Sequence, residues 1–320
     1  MIRYACFALL LASPAAANDG FGGLSATGLH FAQTDAIAME TEDLFISLDR
    51  IRVTYTFRNL TDADVTGEVI FPLPPISLQA LMSSDFNIHE GDRENLVDFT
   101  ATVNGQPVPT SIDRIAVIEP PWDEARPLSA QYDTPGTDVT AALRAANLPM
   151  TIDIKSLTDA LFSKTPAERA ALTSAGLAEF YDGDPAQGMP AEAWPLWSII
   201  LRYHWTQTFP AGQTVAVSHS YDNRSPGGLF GWTHPASDDY NLATQAQYCI
   251  DDSTSRALEK RLRVTDDSGN SYSLGTAHFI AYVLRTANSW AGPIGQFRLT
   301  LDKGAVENVI SLCVTEIQKT

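Results

Sequence analysis

Apolar and polar residues alternate with a period of two from about residue 37 to residue 117. The apolar residues around Leu44 and Ile46 have even numbers, whereas the apolar run that starts at Ile51 has odd numbers. A one-residue slip would expose the second set, so the change of parity predicts a tight turn or a bulge between the two runs. A later apolar run precedes Asn104-Gly105, which is the strongest short hairpin signal. Short strands separated by turn signals predict an antiparallel β-sandwich.

The middle of the chain carries helical signals instead. Apolar residues recur at helical spacing from about residue 139, and Pro149 ends this first run. Ser156, followed three residues later by Asp159, predicts the start of a second helix. A third start is predicted at Thr165-Pro166-Ala167-Glu168, because it combines a threonine cap, a proline in the first turn and a glutamate in the capping-box position.

Strand character returns at about residue 197, where Tyr203 and Trp205 share one face. A second alternating run follows and includes His219. If the two runs pair as one hairpin, their parity excludes the four-residue loop 210–213 and favours a loop of three or five residues. Either register places His219 opposite Trp205 or Tyr203 on a buried face, which favours a core histidine over a catalytic one.

These patterns predict a mainly β protein with a helical segment, α+β overall and built from antiparallel sheets. A length of 320 residues suits two domains. The predicted organisation is a signal peptide at 1–17, an N-terminal β-sandwich-like domain at 18–135, a helical connector at 136–190 and a C-terminal β-rich domain at 191–320.

Residues 1–17 have the pattern of a secretory signal peptide. Arg3 supplies a positive charge, a short apolar run follows, and small residues end at Ala17. The apolar run is too short to span a bilayer, which takes about 20 residues. The sequence therefore predicts a periplasmic or secreted protein, cleaved near Ala17 and lacking a transmembrane anchor.

Cleavage of the leader would reduce the number of cysteines from three to two. Cys6 lies inside the leader, so only Cys249 and Cys313 remain after cleavage. Two cysteines in an oxidising compartment predict one disulfide. A metal or catalytic role is less favoured, because the chain has no CxxC motif and neither cysteine has a histidine nearby in sequence.

Several sequence blocks resemble a family of exported bacterial proteins. They include Phe71-Pro72-Leu73-Pro74, residues 217–221, Tyr248-Cys249, residues 287–299 and Ser311-Leu312-Cys313. In this order they resemble the family catalogued as domain of unknown function 4424. The resemblance covers nearly all of the chain after the leader. It implies an exported, two-part, β-rich protein and carries no catalytic residues.

The first domain is also similar to the sandwich associated with inter-alpha-trypsin inhibitors. Phe57-Arg58-Asn59, Phe71-Pro72-Leu73-Pro74 and Asn104-Gly105 match its order of strand, turn, strand and hairpin. This similarity implies a sandwich and says nothing about activity.

Familiar catalytic and metal-binding motifs are absent from the sequence. It has no GxSxG, Walker loop, HExxH or GxGxxG motif, so no catalytic residue, cofactor or metal site is predicted. Asp251 and Asp266 begin segments that resemble calcium loops, but these segments are incomplete and favour turns. The net charge of −17 opposes binding to nucleic acid and to anionic lipid.

The segment from Asn223 to Pro235 is the best candidate for a binding loop. Its glycines give it conformational freedom, and Phe230, Trp232 and His234 offer contact surface. In the alternative interpretation, Phe230 and Trp232 fold back and pack against the end of the sandwich. The sequence leaves both interpretations open.

The leading hypothesis is a non-enzymatic envelope protein that binds a protein, a peptide or a glycan. The alternatives are an extracytoplasmic hydrolase and a structural subunit of an envelope assembly. An exposed apolar patch near Trp232 would indicate a binding module. Convergence of Ser, His and an acid in one pocket would indicate a hydrolase, and an unpaired edge strand would indicate an assembly subunit.

Overall fold

The computed structural model describes residues 20–25, 28–83, 93–121, 136–223, 225, 227–280, 282 and 289–313. The predicted leader, residues 1–17, lies outside these ranges, so its cleavage stays a prediction. Within the described ranges, no helix has the length and apolar character needed to span a bilayer.

In chain order, the strands are β1 (Gly20–Ser25), β2 (Gly28–Phe31), β3 (Ile37–Ile46), β4 (Arg50–Asn59), β5 (Val65–Pro72), β6 (Ile76–Ser77), β7 (Thr100–Val103), β8 (Gln106–Val108), β9 (Ser111–Ile118), β10 (Thr137–Asp138), β11 (Ala178–Tyr181), β12 (Glu192–Pro195), β13 (Ser198–Phe209), β14 (Thr214–Asp222), β15 (Gly227–Phe230), β16 (Arg263–Thr265), β17 (Ser271–Ser273), β18 (Gly275–His278) and β19 (Gln296–Leu301). The helices are α1 (Leu78–Ser83), α2 (Thr140–Ala145), α3 (Ile154–Phe162), α4 (Pro166–Ser174), α5 (Asp239–Gln247) and α6 (Asp252–Leu262).

Two large sheets contain most of the described strands. The first has the strand order β10-β9-β13-β5-β1-β2, with β6 also paired to β13, and the second has the order β19-β3-β4-β14-β7-β8. Their strands pair in antiparallel fashion, except that β19 runs parallel to β3. The prediction of a mainly β protein with antiparallel sheets and a helical segment is confirmed.

Aromatic side chains join the two sheets face to face. The ring of Phe71 on β5 lies 4.5 Å from that of His219 on β14 and 5.4 Å from that of Phe99, measured between centroids. Phe57 on β4 meets Phe209 on β13 at 5.8 Å in an edge-on contact. All of these side chains are buried. The two sheets thus form a β-sandwich around one aromatic core.

Two predicted turns lie where the sequence indicates them. Strands β3 and β4 form a hairpin in which the Ser47 amide donates to the Arg50 carbonyl at 2.9 Å, which accounts for the change of parity. Asn104 and Gly105 connect β7 to β8 with φ angles of 49° and 78°. Positive φ at both central residues is the type I′ geometry that Asn-Gly favours.

The predicted hairpin between residues 197–205 and 215–221 is wrong. Strand β13 lies between β9 and β5 in the first sheet, whereas β14 lies between β4 and β7 in the second. The connection is the four-residue segment 210–213, and His219 faces Val53 and Ala101 rather than Trp205 or Tyr203. The parity argument holds only for strands of one sheet, and this connection crosses from one sheet to the other.

Both large sheets draw strands from both predicted β-rich regions. Strand β13 pairs with β5 along residues 202–209, and β14 pairs with β4 along residues 214–222. Hydrogen bonds of the sandwich therefore connect residues before 135 with residues after 190. The division of the chain at 18–135, 136–190 and 191–320 itself stays a prediction.

The helical segment follows the predicted starts with one correction. Thr165 and Glu168 form the predicted capping box at the start of α4. The second helix begins earlier than predicted, because Asp153 rather than Ser156 is its N-cap, and the Asp153 carboxylate accepts from the Ser156 amide at 3.1 Å. A carboxylate ahead of the helix satisfies an amide that has no partner within the helix.

A smaller unit, called here the small lobe, comprises residues 227–280. It contains β15 to β18 with helices α5 and α6, neither of which the sequence predicted. Its own apolar core is formed by Phe230, Trp232, Ile250 and Leu262. Residues 227–235 of the binding loop predicted from the sequence lie in this lobe, and residues 224 and 226 of that loop lie outside the described residues.

Candidate functional site

A narrow β-ribbon covers one side of the small lobe. Strand β16 pairs with β17, and after one residue the chain continues as β18, which pairs with β15. Val264 lies opposite Tyr272, and Leu229 lies opposite Thr276. Because side chains alternate along a strand, one face of this ribbon carries residues 229, 264, 272, 274 and 276.

In the β15–β18 half of the ribbon, the opposite face packs onto the core of the lobe. Phe230 lies opposite Gly275, and its ring stacks on that of Trp232 at 6.0 Å between centroids. A Cβ atom at Gly275 would lie 2.4 Å from Leu262 Cδ2. Glycine at this position allows the ribbon to lie directly on α6.

Burial of the predicted contact residues favours the packing alternative over an exposed loop. Trp232 is 1% exposed and Phe230 is 6% exposed, whereas the side chain of His234 keeps 21% of its surface in solvent. The two aromatic residues pack in the small lobe rather than against the sandwich, because the lobe has a core of its own. As a contact surface for a ligand, Phe230, Trp232 and His234 stay a prediction.

A serine, a histidine and an aspartate converge next to Trp232. The Trp232 indole Nε1–H donates to Ser255 Oγ at 3.0 Å, and Ser255 Oγ lies 2.9 Å from His234 Nδ1. His234 Nε2 lies 3.7 Å from Asp252 Oδ1, and Arg256 pairs with the other oxygen of this carboxylate. The Ser255 hydroxyl accepts from the indole and has both a proton and a second lone pair left for its contact with His234 Nδ1.

The Ser255 hydroxyl in this arrangement is buried and is not presented as a nucleophile at the surface of the lobe. Ser255 is 1% exposed and is held by the indole on one side and the imidazole on the other. A nucleophilic hydroxyl must reach a substrate carbonyl, and this one faces the interior of the lobe. The chemical result is a satisfied polar contact inside a small apolar core.

The outward face of the ribbon is apolar, and the sequence analysis missed it. We call the side chains of Leu229, Val264, Tyr272 and Leu274 the apolar strip; their exposed fractions are 83%, 41%, 48% and 42%. The signal available in the sequence was the alternation at residues 272–276, which the surrounding polar residues obscure. Single exposed apolar residues are ordinary, but several on one face of a ribbon are typical of contact surfaces.

The predicted disulfide joins the small lobe to the segment after β19. Cys249 and Cys313 are bonded with an S–S distance of 2.11 Å. The Ser311 hydroxyl donates to the Tyr248 carbonyl at 2.8 Å beside this bond. The pairing closes a sequence separation of 64 residues across the lobe and the last described strand.

Other titratable side chains serve the sandwich or cap secondary structure. Glu68 is buried on β5, where its carboxylate lies 2.8 Å from His204 Nδ1 and accepts from the Thr206 hydroxyl. Asp251 accepts from the Thr254 amide at the start of α6, and Asp266 accepts from the Ser268 and Asn270 amides in a turn. The interpretation as a turn is confirmed for Asp266, whereas it is wrong for Asp251, which is the N-cap of α6.

Metal ligands do not cluster in the described part of the chain. Within it, no group of three or more His, Cys, Asp or Glu side chains is placed to hold a metal ion.

Comparison with known proteins identifies a family and distant structural similarities. The family described as Domain of unknown function (DUF4424) matches residues 17–320. No curated protein matches the chain. Among solved structures, a protein of Legionella pneumophila subsp. pneumophila named a "putative nutrient binding protein" is 14% identical, with a TM-score of 0.33. That match covers 90% of this chain and 54% of the other, so the chain spans about half the length of the protein it matches.

Proposed function

The chain belongs to the family Domain of unknown function (DUF4424), and from this premise we propose that it is an extracytoplasmic, non-enzymatic binding protein whose partner is a polypeptide that docks on the apolar strip. The single observation that carries the proposal is the exposure of Leu229, Val264, Tyr272 and Leu274 on one face of the ribbon.

Two properties of the strip support contact with a protein. Leu229, Val264 and Tyr272 project from paired strands, and the Leu274 amide donates to the Leu262 carbonyl at 2.9 Å. The backbone of the strip is therefore already ordered, and little conformational entropy is lost on docking. Tyr272 supplies an aromatic ring with a polar end, a residue type enriched at the centre of interfaces. The opposite face of the same ribbon rests on Trp232, so the lobe supports the strip from behind.

An extracytoplasmic location is supported by the cysteine pair. A disulfide between Cys249 and Cys313 persists in oxidising compartments and is uncommon in the cytosol. Together with the leader pattern at residues 1–17, it favours export before function. N-terminal sequencing of the protein from its native host should begin at Asn18, and an intact Met1 would contradict export by cleavage.

Site-specific photo-cross-linking tests the docking surface. A photoreactive phenylalanine derivative replaces Leu229 in the full chain expressed in its host, and the matched control places it at Leu60, which is 56% exposed in the sandwich. We expect a discrete cross-linked species from position 229 alone. Mass spectrometry then identifies the attached polypeptide.

Loss of the strip should remove that species. The variant Leu229→Ser/Tyr272→Ser is compared with Leu60→Ser/Tyr240→Ser, which removes the same residue types from exposed positions elsewhere. We expect the first pair alone to lose the partner, with both variants melting within about 3 °C of the parent, because surface changes alter stability by about 0.5 kcal/mol or less. Equal cross-linking at positions 229 and 60 would reject the strip. Attachment to a second copy of this chain would identify self-association instead of a separate partner.

A further inference from the structure

A second ribbon, remote in sequence from the small lobe, combines aromatic rings with carboxylates. Strands β11 and β12 pair so that Glu179 lies opposite Trp194 and Tyr181 lies opposite Glu192. Directly opposed residues of an antiparallel pair share a face, so these four side chains lie together on one side of the ribbon. We call them the aromatic-acidic face.

The other side of this ribbon is packed against the helical segment. Ala178 and Ala193 are buried there, and Phe180 packs at the edge of the main core. The guanidinium of Arg169, on α4, lies 5.5 Å from the Phe180 ring centroid and 5.6 Å from that of Phe162. On its covered side, the ribbon already holds a cation against an aromatic ring.

On the open side, each carboxylate positions an aromatic ring of its own strand. The Tyr181 hydroxyl donates to Glu179 at 2.7 Å, and the Trp194 indole N–H donates to Glu192 at 2.9 Å. Glu179, Tyr181 and Glu192 are exposed, and Trp194 is partly exposed. Among the described residues, neither Glu179 nor Glu192 forms an ion pair with a lysine, arginine or histidine.

We propose that the aromatic-acidic face binds a guanidinium or ammonium side chain of a basic peptide. The rings of Tyr181 and Trp194 offer π-faces to the cation, and Glu179 and Glu192 offer the opposite charge in cross-strand register. This site is separate from the apolar strip and does not depend on the function proposed for it.

Charge complementarity selects this occupant over a neutral one. Glu179, through its hydrogen bond and its charge, and Glu192, through its charge, raise the pKa of Tyr181 above its ordinary value of 10.0. The three groups therefore share one electrostatic environment, and its negative sign favours a cation. The fixed hydrogen bonds hold the rings and carboxylates in place before the ligand arrives, which lowers the entropic cost of binding.

Titration with a short arginine peptide tests the proposal directly. The full chain, labelled with ¹⁵N, receives acetyl-Gly-Arg-Gly-Arg-Gly-amide, and the reporter is the indole Nε1–H resonance of Trp194, assigned by its loss in Trp194→Phe. We expect a saturable shift of this resonance. The same peptide with citrulline at both arginines should bind at least about tenfold more weakly. Added salt should weaken the binding of the arginine peptide.

Variants separate the charges from the fold. Glu179→Gln and Glu192→Gln keep an oxygen that accepts from Tyr181 or Trp194. Each variant should therefore preserve the positions of the rings and weaken the binding of the peptide about two- to fivefold. Asp267→Asn removes the same charge from an exposed turn of the small lobe and should leave the affinity unchanged. Tyr181→Leu removes one ring from an exposed position and should also weaken binding.

Three outcomes would overturn the proposal. One is equal binding of the arginine and citrulline peptides, because recognition would then ignore the charge. Another is a loss of peptide affinity in Asp267→Asn equal to that in Glu179→Gln or Glu192→Gln, because the peptide would then respond only to the net charge of the chain. The last is a shift of the Trp194 resonance by maltotriose without a shift by the arginine peptide, which would make the face a site for a neutral glycan.

Discussion

The sandwich and the small lobe reach stability by different means. The sandwich buries aromatic rings from both sheets in one continuous core that includes Phe71, Phe99 and Tyr203. The small lobe buries few large side chains around Trp232 and adds a disulfide and a polar contact between Trp232, Ser255 and His234. Where little apolar surface is buried, cross-links and satisfied polar groups carry more of the stability.

The largest effect is expected from the centre of the sandwich. Phe71 is completely buried and contacts Phe99, His219 and Tyr221, so Phe71→Ala should lower the free energy of unfolding by about 3–5 kcal/mol. Urea unfolding followed by circular dichroism measures the change. The control Val306→Ala, at an exposed position, should change stability by at most about 0.5 kcal/mol. A loss below about 1 kcal/mol at Phe71 would mean that the core is not continuous there.

The disulfide should matter next, and mainly for the small lobe. Removing a cross-link over a sequence separation of 64 residues should cost about 4 kcal/mol in the chain-entropy account. The double variant Cys249→Ser/Cys313→Ser should show faster hydrogen exchange in α5 and α6 than the parent, with little change in β13. An equal rise of hydrogen exchange in β13 and α6 would contradict the interpretation that the sandwich and the small lobe are stabilised separately.

A smaller loss is expected at the polar contact inside the lobe. Ser255→Ala leaves the Trp232 indole N–H and His234 Nδ1 without their shared partner, which should cost about 1–3 kcal/mol. Ser237→Ala is the control, because it removes the same hydroxyl from an exposed position of the small lobe. Hydrogen exchange of α6 compared with β13 measures the loss. An unchanged hydrogen-exchange rate in α6 would show that apolar packing alone stabilises the lobe.

The smallest effect concerns pH and the cap of α6. Hydrogen bonds from the Thr254 amide and hydroxyl and from Ser253 hold the pKa of Asp251 below its ordinary value of 3.8. A carboxyl with a lowered folded-state pKa adds stability above its unfolded pKa, and this stability is lost as the pH falls through the folded pKa. Asp251→Asn keeps an acceptor without the charge. The difference in unfolding free energy between parent and variant should therefore narrow from pH 5 to pH 2.5, and a difference that widens in acid would contradict the assigned cause.

The residues that sequence reasoning placed correctly have conformations that depend on residues nearby in the sequence. The capping box of Thr165 and Glu168 and the turn at Asn104-Gly105 each depend on a few consecutive residues, so their geometry follows from local chemistry. The same holds for the hairpin turn between β3 and β4, where the change in parity marks the change of strand.

The residues whose contacts sequence reasoning misassigned or left open depend on distant partners. His219 was correctly expected to be buried, but its neighbours come from strands β4 and β7 rather than from β13. Trp232 could have been a contact residue or a core residue, and the presence of Leu262 and Ile250 behind it decides for the core. The sequence did not predict the apolar strip, because the exposure of a leucine on a strand depends on which face of that strand packs against a helix. The sequence does not show which face that is.

The sequence by itself determined the strand-rich composition, the helical middle segment with the capping box of α4, the tight turns and the residues available for a disulfide. Periodicity, caps and turn residues act over a few positions, so they can be recognised without the fold. Only the tertiary structure decided that β13 and β14 belong to opposite sheets, that Phe230 and Trp232 face inward, and that Leu229 and Tyr272 face outward. These choices depend on contacts between residues far apart in the chain, and such contacts leave no mark in the local sequence pattern.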